Sequence, residues 1–114
     1  MQTEYTGRQM SITHKLRTQA TAGLERIERV VGRTAKAHVI LTTEKYRQMA
    51  EVTVNTRKHD IVGIAESTVM EAALQDALDK AEKQALKHKE KMVGRKRNGR
   101  VSKEDLYPPQ AIAN

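Results

Sequence analysis

The sequence predicts an α+β domain, a two-layer βαβββα sandwich with two helices on one face of a four-stranded mixed sheet. Three observations lead there. Apolar residues recur at three- and four-residue steps in two separate windows, the signature of one-sided helices. Between those windows, short runs alternate apolar with polar residues and are broken by polar turns, as strands of an antiparallel meander do. At 114 residues the chain has the length of one domain, so both helices must bury their stripes on the same sheet.

Each element has its own warrant. Residues 1–6 read as a short strand closed by Gly7. Thr13 is placed to cap the first helix, whose stripe is Leu16, Ala20, Gly23, Leu24, Ile27 and Val31, with Gly32 at the C-cap. From Ala35 the period becomes two: Ala37, Val39 and Leu41 alternate with Lys36, His38 and Ile40. Residues 45–48 form a turn, and Ala50, Val52 and Val54 resume the alternation. A second turn at 57–60 leads to a strand at 61–65. Its buried face stays open: Gly63 and Ala65 would admit a close helix, whereas Val62 and Ile64 are bulkier. Thr68 and Glu71 have the spacing of a capping box for the second helix. Its stripe is Met70, Ala73, Leu74, Ala77, Leu78, Ala81 and Ala85, and it is expected to run to about Met92 and stop at Gly94. The helix between the first two strands requires a parallel pair with a right-handed crossover. The domain thus spans 1–94, and 95–114 form a basic tail, poor in apolar residues and expected to be disordered.

Composition removes several function classes. Without cysteine there is no disulfide framework, thiol nucleophile or cysteine-based zinc site. No apolar run reaches the length of a membrane span, and residues 1–10 contain no apolar signal core, so a cytoplasmic protein is expected. The formal charge is +7, and its distribution is uneven. Residues 80–103 hold ten Lys or Arg against Glu82 and Glu90, a net of +8; the remainder holds 11 basic and 12 acidic residues, a net of −1. Charge concentrated in this way points to a polyanionic partner.

Helical spacing organises those charges. Lys80, Lys83, Lys87 and Lys91 fall in one stripe, roughly 110° round from the apolar stripe. Lys15, Arg26 and Arg29 form a comparable stripe on the first helix. With both helices on one sheet face, the two ridges are expected to border a common groove complementary to a phosphate backbone. Asp76–Lys80 and Asp79–Lys83 have the spacing of i,i+4 pairs. The three tyrosines, Tyr5, Tyr46 and Tyr107, do not form a stacking platform on the strands, which argues for shape-reading of folded RNA or duplex over single-strand stacking. No P-loop, HExxH or GxGxxG is present, and His14, His38, His59 and His88 fall on separate elements, so no enzyme, small-molecule substrate or cofactor is expected. A membrane-surface role would need large apolar residues opposite the lysines, where this chain has mostly alanine needed for the core.

The chain also resembles a known family, the bacterial ribosome hibernation promoting factors, also called ribosome-associated inhibitor A or the sigma-54 modulation group. The matching residues are Thr6-Gly7, Ile12-Thr13 and Leu16-Arg17, then Glu51-Val52-Thr53-Val54. The most specific run lies in the second helix: Met70, Ala72-Ala73-Leu74, Asp79-Lys80, Lys83-Gln84 and Lys87-His88-Lys89-Glu90-Lys91. The resemblance covers residues 1–91. It implies a protein that binds 16S rRNA in the mRNA and tRNA channel of the small (30S) subunit and of the 70S ribosome. Such a protein blocks translation sterically and protects idle ribosomes. It further implies rRNA contacts at Lys80, Lys83, Lys87, His88, Lys89 and Lys91, with Lys15, Arg26 and Arg29 added from the helical stripe. Glu71 stands where the family commonly has Tyr, and Ala81 and Ala85 where Leu is common. The chain looks like a short member, expected to be monomeric off the ribosome. The alternative is a generic double-stranded nucleic-acid-binding module, since the architecture resembles double-stranded-RNA-binding domains with an added strand.

Overall fold

The computed structural model describes residues 1–96, with backbone alone for 90–96. The order is β1 (Gln2–Arg8), α1 (His14–Val31), β2 (Lys36–Glu44), β3 (Arg47–Asn55), β4 (Asp60–Ser67) and α2 (Met70–Lys96). The expected architecture is the one observed. The strands lie side by side in chain order, β1 parallel to β2 and the other pairs antiparallel.

Register follows the alternation. Val39 sits opposite Val52, and Val52 opposite Gly63, so Ala37, Val39, Leu41, Ala50, Val52, Val54, Ile61, Gly63 and Ala65 share the covered face. The opposite face carries residues such as His38, Glu51, Thr53 and Ile64, and no tyrosine. Tyr5 belongs to the helix side, hydrogen bonded to Thr21 with the Arg17 guanidinium 4.4 Å above its ring.

The open question about β4 resolves in favour of its small residues. A Cβ on Gly63 would run into the Ala77 carbonyl oxygen and lie 2.9 Å from the Ala81 nitrogen. The backbone of α2 therefore rests directly on the β4 backbone. Ala73, Ala77, Ala81 and Ala85 are fully buried along that contact, so the alanine-rich half of α2 packs closely. On the other flank, Gly23 of α1 receives the Leu78 side chain.

Two helix ends behave as their sequences suggest and two do not. Thr13 accepts from the Leu16 N–H at 3.1 Å, and Gly32, at φ 100°, donates to the Glu28 carbonyl. At α2 the capping box does not form. β4 continues through Ser67, and the first helical bond runs from the Ala73 N–H to the Val69 carbonyl. Glu71 turns toward Lys15 instead of back to the helix end. Nor does Gly94 stop the helix, which continues to Lys96: one glycine costs a helix only about 1 kcal/mol. The helix thus crosses the expected boundary at 94, and the rest of the expected tail, 97–114, lies outside the described residues.

Candidate nucleic-acid interface

The site grows from the way α2 is fastened to the sheet. β4 is an edge strand, and its outward backbone groups would otherwise be unpaired. The Gln84 amide fills that role on one rung. Its Oε1 accepts from the Val62 N–H at 3.1 Å, and its Nε2 donates to the Val62 carbonyl at 2.9 Å. One turn earlier, Lys80 Nζ donates to the Ile64 carbonyl at 2.9 Å. These bonds fix the rotation of α2, and with it the direction in which the neighbouring lysines point.

Lys83 and Lys87 follow on this part of the helix. Both are exposed, and neither has an ion-pair partner among the described residues. Lys80 is exposed but engaged by the Ile64 carbonyl, so its charge sits at the strand edge. Lys89 is also exposed, on the flank of α2 beside the 56–59 turn. Lys91 is helical, but its side chain is outside the described set.

The expected groove between two cationic ridges is not what the helices form. Arg26 spans the seam to Glu82 at 3.2 Å and Asp79 at 3.9 Å. Gln19 donates to the Glu71 carbonyl at 2.9 Å and to Gln75 at 3.3 Å, and Lys15 lies 3.8 Å from Glu71. The α1-facing flank of α2 is thus acidic and amide-rich, and α1 meets it with Arg26 and Gln19. The expected i,i+4 pairs give way to this seam: Asp79 takes Arg26 and the Gln75 amide, while Lys80 takes Ile64. Arg29 is exposed without an ion pair among the described residues; Arg26 is committed to the seam. The exposed α2 lysines free of the seam are therefore Lys83 and Lys87, next to the residues that hold α2 on β4, while Arg29 and Lys15 stand on α1 across the seam.

Two of the four histidines, distant in sequence, come together. His59 in the β3–β4 turn stacks on His88 of α2, with ring centroids 4.1 Å apart and planes 14° from parallel. No sequence spacing signals this pair. It brings Arg57 and Lys58 of the turn alongside His88 and Lys89. His14 and His38 are elsewhere, the latter bonded to Thr6 at 2.8 Å.

An ion pair ties the chain start to the far end of α1. The Met1 ammonium donates to Glu28 at 2.8 Å and holds that carboxyl below its ordinary range. Desolvation opposes the shift, and the charges of the ammonium and Arg33 reinforce it.

Comparison with known proteins decides the family. The family model for sigma 54 modulation protein / S30EA ribosomal protein matches residues 3–93. The chain belongs to that family. A ribosome hibernation promoting factor from Azotobacter vinelandii is 35% identical over 100 residues, covering 88% of this chain and 94% of that one. The one from Escherichia coli (strain K12) is 33% identical over 92 residues, covering 81% and 97%. Among solved structures, the N-terminal domain of Thermus thermophilus Protein Y superposes with a TM-score of 0.71 at 25% identity, over 77% of this chain and 99% of that one. A ribosomal subunit interface protein from Coxiella burnetii shares the fold, with a TM-score of 0.68 at 24% identity. Among the described residues no helix is long and apolar enough to cross a membrane.

Proposed function

We propose that this chain is a hibernation factor that binds the small ribosomal subunit and silences translation by occupying the channel needed by mRNA and tRNA. Family membership and the names of its relatives support a ribosome-associated hibernation role. The observation that carries the RNA-binding surface is the pair of exposed lysines, Lys83 and Lys87, on a helix whose rotation is fixed by Gln84 and Lys80 against β4. Preset ammonium groups suit a partner recognised by the shape of its phosphate backbone. Lys80 lies beside that pair and Lys91 follows it in helical register, Lys89 and His88 lie by the 56–59 turn, and Arg29 and Lys15 lie on α1 across the seam. In this reading the 16S rRNA is the partner, binding is itself the activity, and the protein acts as a cytoplasmic monomer without catalysis.

The test is co-sedimentation of the full chain with purified 30S and 70S particles, followed by competition. A channel-occupying factor is released by mRNA plus tRNA and not by unrelated duplex RNA. Release by any duplex would make it a generic duplex-binding module, and absence from both particles would refute the ribosomal assignment.

A further inference from the structure

A cavity of about 370 Å³ opens where the end of α1, the β3–β4 turn and the late turns of α2 meet. That volume lies at the lower end of the roughly 300–1,000 Å³ of small-ligand pockets. Its floor is apolar, made by Val30, Val31, Ile61 and Ala85. One wall carries the stacked His59 and His88 rings. At its lip stand Arg57, Lys58 and Lys89, all exposed, and no carboxylate lines it among the described residues.

We infer that this cavity is a subsite for one unstacked nucleotide of a bound RNA, with the base in the apolar chamber and its phosphate on the Arg57–Lys58–Lys89 lip. Charge complementarity selects the occupant: three cations, with no lining acid among the described residues, fit an anion, and an apolar chamber beside flat rings fits an aromatic heterocycle. Protein sites that take splayed RNA bases combine such planar side chains with cationic contacts to the backbone. The carbonyl end of α1 lies on the Val30–Val31 side and disfavours an anion there, which places the phosphate at the opposite, turn-side lip. This subsite gives a domain without a tyrosine platform a means of gripping an unpaired base as well as a phosphate backbone. It rests on the RNA-binding reading above, but can fail separately from it.

The experiment uses the full chain and two single-stranded RNA hexamers of adenines, one intact and one with a central abasic site. Base stacking predicts that the intact hexamer binds at least ~5-fold tighter. Thr34→Leu narrows the exposed mouth of the cavity with aliphatic bulk that offers no ring for stacking; it should reduce that preference and leave affinity for the abasic hexamer unchanged. As a readout that needs no variant, adenine protons should show nuclear Overhauser contacts to the Val30 and Val31 methyls of the native chain. Equal binding of the two hexamers, or base contacts elsewhere on the protein, would overturn the proposal. So would an undiminished preference in folded Thr34→Leu. Adenosine monophosphate binding as tightly as the intact hexamer would reassign the cavity to a free nucleotide and overturn the RNA assignment. A chain that sediments with ribosomal particles yet treats the hexamers alike keeps the ribosomal role and loses the subsite. A chain that discriminates the hexamers but ignores ribosomes does the reverse.

Discussion

Replacing Gly63 with alanine should be among the most damaging single-methyl changes in this fold. The new Cβ would meet the Ala77 carbonyl oxygen and the Ala81 nitrogen, which are backbone atoms of consecutive turns of α2. Neither can rotate away, so the helix must lift from β4. Overpacking usually costs about 1–3 kcal/mol, and a backbone obstacle places this case near ~3 kcal/mol. For a domain of this size that corresponds to a fall in Tm of roughly 10–20 °C. Lifting α2 also strains the bonds from Gln84 to Val62 and from Lys80 to Ile64, so the cationic row loses its fixed direction. Gly23→Ala is the control. Its Cβ would come within 2.7 Å of Leu78 Cδ1, the far end of a side chain that can shift, and alanine is favoured over glycine inside a helix by about 1 kcal/mol. The two effects oppose, so Gly23→Ala should cost no more than about 2 kcal/mol, less than Gly63→Ala. Thermal melting followed by circular dichroism decides. A Gly63→Ala protein melting within ~4 °C of native, or a Gly23→Ala protein falling as far as Gly63→Ala, would refute this account of how α2 sits on the sheet.

Three further outcomes follow from named contacts. Gln84→Ala should lower stability by about 1 kcal/mol and speed hydrogen exchange at the Val62 amide, measured by NMR; unchanged protection there would show that Gln84 does not close the edge. Arg26→Ala should change stability by less than ~1 kcal/mol, because Arg26 and both partners keep access to solvent, and should leave small-subunit affinity nearly unaltered; a large affinity loss would return Arg26 to the RNA surface. The depressed Glu28 carboxyl adds stability that is present above the ordinary carboxylate range and lost as pH falls through its lowered folded value. The native Tm should therefore drop more steeply than that of Glu28→Gln below ~pH 4, and parallel curves would contradict the Met1–Glu28 link.

Most of the architecture was legible because one-dimensional periods report burial directly. Leu16, Ala20, Leu24 and Ile27 mark a helix face, and Val39, Leu41, Val52 and Val54 mark a sheet face, without knowledge of their neighbours. β4 resisted this reading because Val62 and Ile64 face outward while Gly63 and Ala65 face the core with Ile61. The need for small residues there comes from the approach of α2, a tertiary fact. The capping box misled for a similar reason: strand pairing holds Ser67, leaving Thr68 beyond the cap position that Val69 fills.

The cationic surface was only half legible. Spacing along α2 places Lys80, Lys83 and Lys87 on one stripe, but angles about a single axis do not say which flank faces the other helix. The clue lay in Glu71, Asp79 and Glu82, acids on the opposite flank that demand partners, and Arg26 and Lys15 answer them. Spacing alone pairs Asp79 with Lys83, whereas the fold gives it Arg26. His59 and His88 could not be paired by spacing at all, because only the folded meander carries the β3–β4 turn to the end of α2.

The account stands on Lys83 and Lys87 meeting RNA phosphates, and the most direct measurement is the salt dependence of 30S binding for the native chain and for Lys83→Glu with Lys87→Glu. Each lost phosphate contact removes about 0.7–0.9 from the slope of log affinity against log salt, so the double variant should bind more weakly with a slope shallower by roughly 1.4–1.8. A folded double variant with the native affinity and slope would contradict the claim, and would place the RNA surface somewhere other than the β4 side of α2.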